Sequence, residues 1–383
     1  MNPDGERQTL VSLSFLAKPG DPVMGAALRT RSARELLALV TGADAHGEAL
    51  LADRAEDSGL RRALPRWRDR LAEVPSTARL AAWQDSGMRL LVPADAEWPS
   101  QLDDLGDARP VVLWLRGRGD LRLACLNSVA IVGSRAATGY GQHVAIELAA
   151  VLAEGDIATV SGGAYGIDAS AHRGALAAHG ETVAVLAGGL EFGYPRGHSD
   201  LFAAIAERGV LVSECPPDRG PTRPGFLIRN RIIAALTRGT VVVEAALRSG
   251  ALNTARHARD LCRPVMAVPG PVTSEQSAGC HELIRDYGAM CVTCASDVAD
   301  HIALPGSSPS IGPRRGPARP RDLLDPATVA VLEEVPVRGG RGPASIAVRA
   351  GVDLDTALRC LGLLAADGFV RRGDQGWQAL KLN

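Results

Sequence analysis

Four turns rich in glycine, serine and arginine hold the residues of this 383-residue chain best suited to chemistry. They read Gly133-Ser134-Arg135, Ser161-Gly162-Gly163 with Gly166-Ile167-Asp168, Gly188-Gly189, and Ser249-Gly250. Backbone N–H groups in such turns are unobstructed by side chains, and a helix opening directly after the turn aims the positive end of its dipole at the same ligand. A phosphate is the default occupant. One glycine turn implies no more than a tight connection, whereas four in succession point to a shared ligand. Arginines accompany them: Arg135, Arg196 after Tyr194-Pro195, and Arg229-Asn230-Arg231 at the expected start of an apolar helix, Ile232 to Leu236. Guanidinium groups beside Phe192, Tyr194 and Phe226 suit a single strand of nucleic acid. Its backbone needs cations, and its exposed bases stack on π faces at ~1–3 kcal/mol each. For Phe226, core packing beside Leu227 and Ile228 is an equal alternative.

Other chemistries lack their residues. GxxxxGK[ST] needs a lysine in a glycine loop, and the only lysines are Lys18 and Lys381, so P-loop ATP hydrolysis is excluded. After the first strand Gly133 is followed by Ser134-Arg135 and then by Gly139, which breaks the GxGxxG dinucleotide fingerprint. Cys291 and Cys294 form a CxxC with no second CxxC or CxxH at zinc spacing, and no metal or cofactor is expected. Glu244 and Asp168 are the carboxylates best placed for acid/base work. Asp168, near a helix start, reads better as a cap or dipole partner.

The elements that must position these residues are legible from apolar periodicity. Runs at Val129-Val132, Ala158-Val160, Val183-Leu186, Val210-Val212, Val241-Val243, Val265-Val268 and Met290-Val292 lack in-out alternation and read as buried parallel strands. Amphipathic segments such as Val144 to Leu152 and Ala169 to Ala178 lie between them. The expected fold is therefore a doubly wound, Rossmann-like α/β sheet over residues 106–302, with ligands beyond the carboxyl ends of its strands. Residues 1–105 read as a small helical, SAM-like domain and connector, opening with two helices around Pro19-Gly20-Asp21-Pro22. A proline-rich linker, 303–321, precedes residues 322–383. There, helices at Asp325 to Glu333, Pro343 to Ala350 and Leu354 to Ala366 and a two-stranded wing at Phe369 to Leu380 form a winged-helix pattern. The third helix offers Leu354, Leu358, Leu361 and Leu364 as a core stripe and Arg359 as its single basic residue.

The formal net charge is −1, so any nucleic-acid site must be a local concentration of charge. Nearly all of that positive charge is planar guanidinium, suited to phosphates and to stacking. Seven cysteines without a secretory segment fit a reducing, cytoplasmic compartment. No apolar run approaches the ~20 residues of a membrane span.

The ordered motifs VAIVGSRAATGYG and SGGAYGIDASAH (Val129 to His172), YPRGH (Tyr194 to His198), SECPP (Ser213 to Pro217), RNRIIAAL (Arg229 to Leu236), VVEAALRSGALNTARHA (Val242 to Ala258) and VPG (Val268 to Gly270) closely resemble the DprA/Smf family across roughly residues 90 to 300. The resemblance implies an extended Rossmann-like fold that binds single-stranded DNA, forms a homodimer and helps load RecA in transformation or recombination. It maps DNA contacts onto Gly133, Ser134 and Arg135, onto Ser161, Gly162, Gly166 and Asp168, onto Arg196, and onto Arg229, Asn230 and Arg231. With Gly163, Tyr194, Ser249 and Gly250 these make up the expected interface, Arg135 and Arg196 foremost. Two positions depart from the family pattern: arginine stands at the lysine position of YPK, and Asn253 replaces an aliphatic residue in ALNTA.

Two rivals compete. Related Rossmann-like nucleotide phosphoribohydrolases use a PGGxGTxxE loop, but here the region reads Glu244-Ala245-Ala246-Leu247-Arg248-Ser249-Gly250. A winged-helix transcription regulator would present a basic recognition helix, and the third helix is poor in arginine.

Overall fold

The computed structural model describes residues 3–43, 57–304, 311 and 320–380. The chain divides into two compact units, residues 1–312 and 313–383. Most of the expected linker, 305–310 and 312–319, lies outside the described residues.

The first unit opens with helices α1 (Pro3–Leu16), α2 (Pro22–Thr30), α3 (Ala33–Thr41), α4 (Ser58–Arg68) and α5 (Thr77–Asp85). The Asp21 side chain accepts from Val23 N and Pro22 occupies the first turn of α2, where its missing N–H costs nothing. The second of the two helices expected here is itself divided, because Ser32 and Glu35 form a capping box that starts α3.

Nine strands follow: β1 (Met88–Leu91), β2 (Leu113–Gly117), β3 (Ser128–Gly133), β4 (Ala158–Ser161), β5 (Thr182–Leu186), β6 (Val210–Ser213), β7 (Thr240–Val243), β8 (Val265–Ala267) and β9 (Met290–Cys291). They form one sheet in the order β1-β2-β6-β5-β4-β3-β7-β8-β9. The strands from β3 to β9, which are the seven read from the sequence, pair in parallel. β2 joins antiparallel to β6, and β1 antiparallel to β2. β1 corrects the reading of residues up to 106 as wholly helical, and β2 lies just beyond that stretch. Met88–Leu91 is too short to show a period, and its pairing with β2 decides its conformation.

Helices α6 (Leu121–Leu126), α7 (Gly139–Glu154), α8 (Ile167–Ala177), α9 (Ser199–Arg208), α10 (Arg223–Leu236), α11 (Gly250–Asp260), α12 (Ala278–Asp286) and α13 (Ala295–Ile302) are the unit's other α-helices among the described residues. The apolar runs serve two cores at once. In β3, Ala130 and Val132 enter one cluster while Val129 and Ile131 enter another on the opposite face, the behaviour of a strand covered on both sides. Phe15, Trp83 and Trp114 join the N-terminal helices to β2, with ring centroids 5.6 to 6.4 Å apart. Because β4 and β7 flank β3, the strand order reverses there, and the crevice beyond β3 and β7 is the switch point where such sheets bind ligands.

The second unit contains α14 (Pro326–Glu333), α15 (Pro343–Ala350), α16 (Leu354–Ala366) and a hairpin of β10 (Val370–Gly373) with β11 (Gly376–Ala379). Its core includes Val331, Ile346, Leu361, Leu364 and Phe369. The stripe expected on α16 is corrected: Leu354 and Leu358 are exposed, and Ala357 and Cys360 are buried with Leu361 and Leu364. Small side chains take the inner face here, a choice that apolar spacing alone does not show.

Candidate nucleic-acid interface

A cavity of about 390 Å³ lies at the switch point, and it gathers Gly133, Ser134, Arg135, Asp168, Arg229, Asn230, Ser249 and Gly250. Backbone bonds lace its loops together. Ser134 N donates to Glu244 O at 2.7 Å, and Ile167 N donates to Ser134 O at 3.1 Å. The Glu244 carboxylate accepts from Thr138 N at 2.8 Å and from the Thr138 hydroxyl at 2.5 Å. These contacts hold Glu244 at φ 55°, a left-handed conformation that costs a non-glycine residue of order 1–3 kcal/mol. Gly166 has φ 79°, and a Cβ there would lie 2.2 Å from Ser134 O, so only glycine lets the β3 and β4 loops close on each other.

Arg135 stands out from this lacework. Its guanidinium is exposed and lies over Phe226, with Cζ 4.7 Å from the ring centroid. Tyr194 packs on the same ring at 5.7 Å and is itself 49% exposed. Phe226 is therefore half-buried in an aromatic and cationic ledge rather than sunk in the core. Arg196, two residues after Tyr194, and Arg223, three before Phe226, are exposed, and Arg248 is an exposed member of the cavity lining. Among the described residues Arg135, Arg196, Arg223 and Arg248 have no carboxylate partner. Arg223 and Arg248 were missed in the sequence. The signals were there, since Arg223 follows the Thr222 cap of α10 and Arg248 precedes the Ser249 cap of α11.

The remaining expected contacts lie deeper. Arg229 is buried: Nη1 donates to Gly162 O at 2.7 Å and to Val185 O, and Nε donates to Asn230 Oδ1 at 3.3 Å. Burial pushes its pKa down to about 10, opposed by the Asp168 charge. A Cβ on Gly162 would come within 2.4 Å of this guanidinium, so the glycine makes room for arginine. Ser161, Gly162 and Gly163 are buried beneath the rim, and the Ser161 hydroxyl donates to Ile131 O. Asp168 is buried and accepts from Gly162 N at 3.1 Å and Ala164 N at 3.3 Å. Burial raises its pKa, against the pull of Arg229 and of these bonds. Asn230 donates to Gly250 O at 3.2 Å and ties α10 to α11.

Arg231 departs from the expectation. It pairs with both Glu214 oxygens at 2.7 and 2.8 Å and donates to Ala108 O, away from the cavity. The cause is that α10 begins at Arg223 rather than at Ile232. Arg229, Asn230 and Arg231 thus lie within a helix, where successive side chains turn by about 100°, and two residues of separation send Arg231 to the other side. Cys291 and Cys294 are free thiols. Among the described residues no group of three or more His, Cys, Asp and Glu is placed to hold a metal, and no helix is long and apolar enough to cross a membrane.

The chain matches known proteins over the same region. The family profile described as DNA recombination-mediator protein A matches residues 89–303, more than half of the sequence. A putative DNA processing protein DprA of Mycobacterium tuberculosis (strain ATCC 25618 / H37Rv) is 47% identical over 306 residues, which are 77% of this chain and 78% of that one. The protein Smf of Escherichia coli (strain K12) is 42% identical over 57% of this chain and 58% of its own. Among solved structures, DNA processing protein A of Streptococcus pneumoniae superposes with a TM-score of 0.58 at 33% identity, covering 70% of this chain and 93% of that one. The Helicobacter pylori DNA processing protein A, whose structure was described for its single-stranded DNA binding mode, gives 0.50 at 31% identity over 55% and 93%. Profile, sequence and fold agree that this chain belongs to the DprA/Smf family of DNA processing, recombination-mediator proteins.

Proposed function

We propose that this chain binds single-stranded DNA along the rim of its sheet, protects the strand and helps load RecA onto it, acting as a homodimer. The observation that carries the reading is the Arg135–Phe226–Tyr194 ledge at the mouth of the switch-point cavity. A guanidinium lying on an aromatic ring offers a phosphate contact and a stacking surface together, the two things a single strand needs. In this reading Arg135, Arg196 and Tyr194 touch the strand. Gly133, Ser134, Ser249 and Gly250 shape its bed, and Ser161, Gly162, Gly163, Gly166, Asp168, Arg229 and Asn230 hold that bed rigid. The subject of the Helicobacter pylori structure, single-stranded DNA binding by that relative, supports the same class of ligand.

The protein acts in this proposal without catalysis. The two carboxylates that the sequence offers for acid/base work already serve backbone and hydroxyl groups: Asp168 closes the Gly162–Ala164 turn and Glu244 holds Thr138. The domain plan stays that of a SAM-like N-terminal region, a Rossmann-like centre, a linker over 303–321 and a winged helix over 322–383, in a cytoplasmic protein. For the last domain a protein-contact or regulatory role suits α16, whose Arg359 is flanked by Asp353, Asp355 and Asp367. Mobility shift of labelled single-stranded and duplex oligonucleotides with the full chain tests the reading. Preference for the single strand is expected, and equal or stronger retention of the duplex overturns it.

A further inference from the structure

Of the four glycine turns, Gly188-Gly189 has no part in the proposed strand contacts. A Cβ on Gly189 would lie 2.1 Å from both Pro216 O and Pro217 O, and one on Gly188 would lie 2.8 Å from Pro221 N. These glycines therefore admit the loop after β6 rather than a ligand. Backbone rungs join that loop to the one after β5: Gly189 N donates to Arg219 O at 2.7 Å, and Glu191 N donates to Pro217 O at 3.0 Å. The Ser213 hydroxyl adds a bond to Gly188 O at 2.8 Å. Each loop carries one ring of the ledge. Tyr194 follows Glu191 by three residues. Arg219 precedes by three the Thr222 hydroxyl that caps α10, accepting from Gly225 N at 3.1 Å, and Phe226 comes next in that helix.

The joined loops are tied in turn to the N-terminal helices. Arg219 Nη2 donates to Phe15 O of α1 at 3.0 Å and to the Glu73 carboxylate, and Cζ lies 5.5 Å from the Phe15 ring centroid. Beside it Asp218 pairs with Arg79 of α5 at 2.8 Å, and the Trp83 indole Nε1 donates to Glu191 at 3.4 Å. Gly20 N donates to Glu214 at 2.9 Å. An exposed ion pair such as Arg79–Asp218 contributes little by itself. Arg219 differs, because its guanidinium meets a carbonyl, a carboxylate and an aromatic face at once. It does not line the rim cavity.

We propose that Arg219 is a positioning residue for single-strand binding: anchored on Phe15 and Glu73, it holds the two loops in the register that sets Tyr194 and Arg135 against Phe226, and so makes the N-terminal helices part of the DNA interface. The inference rests on the single-strand reading of the rim. Its test is anisotropy of labelled dT20 with the full chain across a salt series, for wild type, Arg219→Ala, Glu73→Ala, Phe226→Ala and the pairing of each anchor variant with Phe226→Ala. Arg219→Ala should lose about fivefold in affinity and Glu73→Ala about threefold. Both should keep the wild-type salt slope, since neither removes a phosphate contact. In the Phe226→Ala background neither anchor change should cost anything further, because the ledge is already gone. Glu73, nearly half exposed at the far end of the anchor, carries the same cycle if Arg219→Ala does not fold. Wild-type affinity in the anchor variants overturns the inference. So does a slope shallower by about 0.7 in Arg219→Ala, which makes Arg219 itself a strand contact. A full loss that persists in the Phe226→Ala background also overturns it, by showing general damage rather than lost register. Failure of the rim reading looks different: wild type does not bind dT20, or Phe226→Ala binds it as wild type does. Either result leaves the anchor with no site to position.

Discussion

Replacing Arg229 with leucine and, separately, Arg135 with leucine sets a buried strut against an exposed contact in the same cavity. Arg229 bonds to Gly162 O and Val185 O across the ends of β4 and β5. Its removal strands both carbonyls at ~1–3 kcal/mol each and takes from buried Asp168 its compensating cation. Relief of the guanidinium's own burial, which holds its pKa down at about 10, returns part of this. The expected net loss is about 3 kcal/mol. Urea unfolding reads it through the buried Trp67, Trp83, Trp98 and Trp114. At a slope of ~3 kcal/mol per molar, the midpoint falls by about 1 M. Arg135→Leu touches an exposed side chain and should stay within about 0.5 kcal/mol of wild type while losing affinity for single-stranded DNA. A wild-type midpoint for Arg229→Leu together with lost DNA binding refutes the reasoning, as does destabilisation of Arg135→Leu by several kcal/mol.

Three further outcomes follow from the same geometry. Phe226→Ala removes the ring that supports both Arg135 and Tyr194 and should weaken single-strand binding by ~1–3 kcal/mol, whereas Phe226→Tyr should retain it; equal binding by both in an anisotropy titration contradicts the ledge. Glu214→Ala leaves Arg231 buried without its bidentate partner and breaks the bond from Gly20 N. It should lower stability by ~3–5 kcal/mol in the same urea assay, and a change below about 1 kcal/mol counts against the pair as a tie between α10 and the N-terminal helices. His172 is buried, with Nδ1 2.7 Å from the Thr182 hydroxyl, and burial pushes its pKa down to about 3. The folded state keeps it neutral while the unfolded chain takes up a proton near pH 6.5, so stability falls as pH drops below 6.5 toward 3. Between pH 7 and pH 5 the loss is about 2 kcal/mol, and His172→Leu should flatten that part of the profile. An identical profile in the variant assigns the acid sensitivity to other groups.

The parallel part of the sheet was legible because strands covered on both faces are uniformly apolar, as Val129 to Val132 and Val241 to Val243 show. β1 was not, because Met88–Leu91 is four residues long and acquires its identity only through its pairing with β2. The turn glycines do follow the carboxyl ends of β3, β4, β5 and β7, but the sequence does not tell a glycine that admits a ligand from one that admits a neighbour. Gly162 makes way for Arg229, and Gly166 for the Ser134 carbonyl. Adjacent arginines were ambiguous for a similar reason. Without the true start of α10 at Arg223, the opposite directions of Arg229 and Arg231 could not be read. The role of Phe226 was evenly balanced in the sequence, and the Arg135 guanidinium on its face is what places it at the surface.

The most direct test of the account is fluorescence anisotropy of single-stranded and duplex oligonucleotides across a salt series, with wild type and Arg135→Ala. The account predicts tighter binding to the single strand, with log affinity falling linearly in log salt by ~0.7 for each phosphate contact. In Arg135→Ala the affinity drops and the slope becomes shallower by about 0.7, one contact's worth. Unaltered affinity and slope in a folded Arg135→Ala variant would contradict the account, and so would the absence of a preference for the single strand in wild type.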